Sequence, residues 1–167
     1  MKTILILEDE PALMALFRAV LSGYTILEAS TAEEALRVFL EHDRKLDLLI
    51  ADVVLRVGSG ISGIHVALLL REANSNLSIL LTSGYPRSLW NDPDGADLKR
   101  LGSDSVAILQ KPFSPATLLR HVYDSIGPPS GATGAGFGAK LLRFRYNRAA
   151  ARTADFLRER LQNRPGA

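Results

Sequence analysis

The stretch LDLLIADVVL, residues 46–55, decides the fold. Its near-continuous Leu and Ile have the texture of a strand covered on both faces, not of one with a wet side. Asp52 stands at the end of that run. A carboxylate at the edge of an apolar core is costly unless a cation, a hydrogen-bond network or a chemical task accompanies it. Working outward, similar β-rich runs recur at TILIL (3–7), YTILEA (24–29), LSILLTS (77–83) and SVAILQ (105–110).

The intervals between these runs carry helical spacing. The first begins at Pro11, a favoured opening position, turns Leu13, Leu16, Phe17 and Val20 inward, and stops at Gly23. The second opens with STAE, where Ser30 and Glu33 fit a capping box, and continues through Leu36, Phe39 and Leu40. The third spans about Ile61 to Glu72. The last starts at Ser114-Pro115 and points Leu118, Leu119, Val122 and Ile126 at the core. The fourth interval, YPRSLWNDPDGADLKRLGSD (85–104), holds two prolines and a D-P-D-G turn signal, which predicts a long loop with a short or broken helix. Five strands alternating with helices predict an α/β fold, a doubly wound five-stranded parallel sheet. In such a sheet ligands gather beyond the carboxyl ends of the strands, at the switch point.

Composition bounds the remainder. The 167 residues are 47% hydrophobic and 23% charged, which suits one ordinary packed domain with some chain left over. No apolar run approaches the roughly 20 residues needed to cross a bilayer, so no membrane span is expected. No basic, apolar leader precedes the first strand, and a cytoplasmic location is the expectation. The chain has no Cys, which excludes disulfides, thiol catalysis and thiolate zinc sites. Charge is uneven: residues 1–126 hold 12 Lys/Arg against 16 Asp/Glu, and residues 127–167 hold 8 against 2. An acidic body (1–126) is therefore followed by a Gly/Pro-rich linker (127–138) and a basic tail (139–167) whose pattern predicts a helix, with Leu142, Tyr146, Ala149, Thr153, Phe156 and Leu157 on one stripe.

The strand ends collect the chemistry. The first strand ends in Glu8-Asp9, the third in Asp52, the fourth in Thr82-Ser83 and the fifth in Lys111-Pro112. A parallel sheet brings these ends to one edge. Carboxylates clustered there repel one another and hold protons more tightly unless a cation sits among them. Hard oxygen donors with open positions suit Mg²⁺, which accepts phosphate oxygens as further ligands. With the Lys111 ammonium and the Thr82 hydroxyl beside Asp52, the set fits phosphoryl transfer to Asp52.

In that order and spacing, ILEDE, LLIADVVL, LLTSGY and LQKPF make residues 1–126 resemble a response-regulator receiver domain of two-component signalling. The TSGYP phrase is similar to receivers that stand alone or accompany hybrid histidine kinases. The resemblance implies a flavodoxin-like fold and a phosphoacceptor at Asp52, supplied by a histidine kinase or phosphotransfer protein. It also implies Mg²⁺ held by Glu8, Asp9, Asp52 and the carbonyl of Val54, and a phosphoryl group read by Thr82 and Lys111. Output through an unidentified downstream protein, or through a homodimer, is implied as well. An enzyme in the turnover sense is not, beyond slow self-phosphorylation and dephosphorylation.

Several positions depart from the family pattern. Glu8 replaces an Asp, and Arg56 stands where a Pro often follows the phosphoacceptor. The segment RVGSGISG (56–63) looks expanded by about two residues against the family pattern. Ile108 occupies the position of the switch aromatic, so coupling to the fourth-helix face has to use Thr82 and loop motion. These departures keep a second reading alive, a degenerate receiver that binds partners independently of phosphate. A phosphohydrolase would want an acid two residues after the nucleophile, and Val54 cannot serve. His42, His65 and His121 read as ordinary helix residues, and Trp90 as a packing residue. The basic tail suits phosphates electrostatically but lacks a recognised reading head, so nucleic acid is not an expected partner.

Overall fold

The structure is a computed structural model and describes residues 1–58, 60–102 and 105–129. Its strands are β1 (Thr3–Leu7), β2 (Thr25–Ala29), β3 (Leu48–Asp52), β4 (Ser78–Ser83) and β5 (Ala107–Gln110). They form one sheet in the order β2-β1-β3-β4-β5, with every neighbouring pair parallel. The helices are α1 (Pro11–Val20), α2 (Ala32–Glu41), α3 (Gly63–Ala73), α4 (Asp92–Leu101) and α5 (Pro115–Ile126). This is the predicted doubly wound sheet, in the flavodoxin-like order.

Strand alternation explains the two layers. Ile4 and Ile6 of β1, Leu48 and Ile50 of β3, and Leu80 of β4 join the core under α1 and α5. Their neighbours Leu5, Leu7, Leu49, Ala51, Ile79 and Leu81 join the opposite core, under α2 and α3. Side chains alternate with period two, so strands sandwiched between helix layers need apolar residues on both faces. All five residues of β3 are buried, which accounts for the unbroken apolar run that ends in Asp52. The strand order reverses between β1 and β3, and their carboxyl ends open the crevice where Glu8, Asp9 and Asp52 lie.

Two local expectations need correction. The α2 cap falls one residue later than predicted: Thr31 accepts from the N–H of Glu34, and Glu34 reaches back to the N–H and hydroxyl of Ser30. Leu40 accordingly faces solvent. The fourth interval holds a short 3-10 turn at Arg87–Leu89 and then a longer helix than expected. α4 is a regular ten-residue helix, and D-P-D-G is its first turn. Asn91 accepts from the N–H of Asp94, and Pro93 lies in the first turn, where a missing N–H costs nothing. Asp92 and Asp94 sit at the positive end of the helix dipole, Lys99 and Arg100 at the negative end, and Gly102 (φ 82°) stops it.

α4 takes its main support from α3 and little from the strands. At the other edge of the sheet, the end of α5 is tied to the strand starts. Lys2 Nζ donates to the Ile126 carbonyl, and Tyr24 Oη donates to that of Gly127 at 2.8 Å. Ser78 Oγ reaches the Ser125 carbonyl at 3.4 Å. The predicted tail, and the linker from residue 130 onward, lie outside the described residues.

Candidate functional site

β1 ends in Glu8 and Asp9, β3 in Asp52, and β4 carries Thr82 directly beside Asp52 in register. Lys111 follows β5, and its N–H donates to the Ser83 carbonyl at 2.8 Å, which pins the lysine to the end of β4. The Lys111–Pro112 peptide is cis. From there Lys111 Nζ donates to Asp52 Oδ2 at 2.6 Å and to Glu8 Oε2 at 2.8 Å. Carboxylate oxygens of Glu8, Asp9 and Asp52 come within 4.8 Å of one another. The residues predicted from the strand ends therefore converge.

Backbone amides hold the carboxylates in place. Val54 N–H donates to Asp52 Oδ1 at 3.2 Å, and Glu10 N–H to Glu8 Oε1 at 3.2 Å. Arg56 N–H donates to Asp9 Oδ2 at 2.7 Å, so Asp9 bonds across to the β3–α3 loop while Glu10 holds the α1 cap position with no side-chain bond. Val54 itself is exposed beside the site. A Cβ on Gly58 (φ 102°) would fall 3.3 Å from Thr31 Cβ and from Glu33 Oε2, so the loop at Gly58 lies against the start of α2.

Burial raises the Glu8 carboxyl to about 7; Lys111 opposes this and Asp52 adds to it. Asp52 is also raised, chiefly by burial, against the pull of Lys111. Burial pushes the Lys111 ammonium down, but Glu8 and Asp52 outweigh it and hold the value above normal. Lys111 pairs with Glu8 and Asp52, and Asp9 brings a third carboxylate to the cluster, so acidic groups outnumber the ammonium there. All three supply hard oxygen, the donor set that Mg²⁺ prefers. Thr82 Oγ1 is buried and lacks a hydrogen-bond partner. Native structures leave few such groups unpaired, and one beside a candidate phosphoacceptor fits an oxygen that arrives with the phosphoryl group. The donor set and the spare hydroxyl thus fit Mg²⁺ and a phosphoryl group together.

Two features of the surroundings escaped the sequence. Gly63, the first residue of α3, lies so close to β3 that a Cβ would fall 2.0 Å from the Asp52 carbonyl oxygen. A glycine opening a helix just after the β3–α3 loop was the available signal. His65, read as an ordinary helix residue, places Nδ1 2.7 Å from Asp97 Oδ2 on α4. Nothing in the sequence marks that pair, which exists only because α3 and α4 pack together. Ile108 is half-buried against the α2/α3 core, as its apolar side chain requires.

A parallel sheet with this rim of acids, hydroxyl and lysine defines a class. The response regulator receiver domain family matches residues 4–123, and the chain belongs to that family, a receiver of two-component signalling. Over 126 residues it is 32% identical to the sensor kinase CckA of Brucella abortus (strain 2308). That match covers 74% of this chain and 12% of the kinase. Among solved structures, the receiver domain from the hybrid histidine kinase CckA is 29% identical, with a TM-score of 0.58 over 74% of this chain and 98% of that one. A response regulator receiver protein from Sinorhizobium medicae WSM419 is 24% identical, with a TM-score of 0.61 over 77% and 97%. Vibrio cholerae CheY4 is 22% identical, with a TM-score of 0.60 over 75% and 98%; these last two speak for the fold alone.

Proposed function

We propose that this receiver accepts a phosphoryl group on Asp52 from the phosphohistidine of a histidine kinase or phosphotransfer protein. The observation that carries the reading is the convergence of Asp52, Lys111 and the partnerless Thr82 hydroxyl at one strand edge. An Asp52 oxygen forms the new bond to phosphorus as the P–N bond to the donor breaks, and the imidazole leaves with the electron pair and takes a proton from water. Lys111, already bonded to Asp52 Oδ2, orients the carboxylate and supplies a fixed positive charge close to the incoming phosphoryl oxygens. Thr82 Oγ1 donates to one of those oxygens. Glu8, Asp9, Asp52 and the Val54 carbonyl are the residues that would hold Mg²⁺, whose role is to neutralise phosphoryl charge.

Capture of phosphate then biases a pre-existing conformational equilibrium, and the output is contact with another protein. Kinship with a sensor kinase's receiver region supports a histidine kinase or phosphotransfer protein as the partner. Residues 1–126 form the signalling unit in this reading, with linker and basic tail appended, in the cytoplasm. The test is incubation with Mg²⁺ and acetyl phosphate: a mass gain of about 80 Da, one phosphoryl group, that is lost in Asp52→Asn. Failure of the intact protein to gain that mass would instead favour the phosphate-independent interaction module.

A further inference from the structure

Signal has to leave Asp52 by some physical route, and the side chain at position 108 offers none. Ile108 carries no hydrogen-bonding group and is wedged in the α2/α3 core. α3, by contrast, touches Asp52 directly. The Gly63 backbone lies against the Asp52 carbonyl with no room for a single carbon between them, and Gly63 N–H points to the Val53 carbonyl at 3.4 Å. Any shift of the β3 end therefore pushes on the first turn of α3, because close-packed interiors transmit displacement instead of absorbing it.

That same turn grips α4. His65 lies two residues beyond Gly63, and its N–H is capped by Ser62 Oγ at 3.3 Å. Its Nδ1 meets Asp97 Oδ2 at 2.7 Å, with the Asp97 side chain only 14% exposed. Asp97 Oδ1 also pairs with Arg100 at 3.5 Å, and Arg100 pairs with Glu72 Oε1 at 3.0 Å. His65 and Glu72 are seven residues apart, two turns on one face of α3, so α4 is fastened to α3 at two levels. Since α3 is the main backbone neighbour of α4, the position of α4 follows α3.

We infer that the first turn of α3, with Gly63 against β3 and His65 paired to Asp97 of α4, carries the phosphorylation state of Asp52 to α4. His65 and Asp97 are positioning residues in this route and take no part in the chemistry. The inference rests on the phosphoacceptor reading above, and the experiment separates the two. Protein treated with Mg²⁺ and acetyl phosphate is measured by mass for the phosphoryl adduct and by hydrogen exchange for residues 92–101. Fluorescence of Trp90, the sole Trp, next to the start of α4, gives a second readout. In the intact protein, phosphorylation is expected to change α4 exchange by roughly threefold or more. In Asp97→Asn and, separately, His65→Gln, the adduct forms to the same extent while that change shrinks at least by about half. A purely structural tie would alter α4 exchange equally in the two phosphorylation states and leave the difference between them intact. An undiminished difference in both variants, or an intact protein that gains the adduct without any α4 response, overturns the route. An intact protein that gains no adduct overturns the phosphoacceptor reading, and the route falls with it.

Discussion

Lys111 Nζ lies between Asp52 and Glu8, 2.6 Å from one carboxylate and 2.8 Å from the other, though its own residue stands at the far side of the sheet from β1. All three side chains are at most 10% exposed, so the lysine is the charge that allows two buried acids to coexist. Lys111→Met removes the ionic partner of both and leaves each only its backbone N–H bond, and breaking such a buried pair costs about 3–5 kcal/mol. Urea unfolding near neutral pH in the absence of Mg²⁺ measures the loss. A variant as stable as the parent would mean that the pair does not hold the rim together.

Thr82 predicts the opposite sign. Its buried hydroxyl is unpaired, and a buried polar group without a partner costs about 1–3 kcal/mol. Thr82→Val keeps the shape and deletes the group, so the unphosphorylated protein should become more stable by about 1 kcal/mol. The acyl phosphate should meanwhile form more slowly or decay faster, since its oxygen loses a donor. Chemical unfolding and a time course of adduct mass check the two halves.

Glu8 sets the pH dependence of the metal-free protein. Its folded value of about 7 lies above the ordinary 4.5, so the folded state binds the extra proton between those values. That stabilising contribution is complete below 4.5 and is lost as pH rises through 7. Asp52 is shifted in the same direction and adds to the trend. Mg²⁺ competes with the proton, so the rise in Tm on adding it should be small at acid pH and grow toward a plateau above 7. In Glu8→Gln that pH dependence should flatten. Thermal melts with Mg²⁺ or with EDTA, across pH, supply the readout.

Gly63 tolerates no side chain. A Cβ at 2.0 Å from the Asp52 carbonyl forces α3 or β3 to move, and overpacking of this kind costs about 1–3 kcal/mol. Gly63→Ala should therefore lower the melting temperature and slow adduct formation together. Gly95, with open space around its Cβ position and a place inside α4, is the matching control: Gly95→Ala should leave adduct formation unchanged and favour the helix by about 1 kcal/mol.

The chemistry of the rim was legible because a parallel sheet gathers strand ends whatever the loops between them do. Glu8, Asp9, Asp52, Thr82 and Lys111 could be placed together from four apolar runs and the polar residues at the end of each. α4 was misread because Pro93 and Gly95 are turn residues in isolation, whereas Asn91 capping and support from α3 turn them into a helix start. Periodicity cannot report a tertiary neighbour. The same limit hid His65, whose meaning depends on Asp97 one helix away, and Gly63, whose necessity comes from the backbone it touches.

The bonds from Lys2 and Tyr24 hold the end of α5 against the starts of β1 and β2. Gly127 is anchored at the amino-terminal margin of the sheet, a strand's length, about 17 Å, from the rim that holds Asp52. A fluorophore or fused reporter joined just after that glycine starts on the margin opposite the rim of Glu8, Asp9 and Asp52. Whatever it senses of Asp52 must reach it through the interior of the domain, which makes that junction a clean place to listen for long-range change.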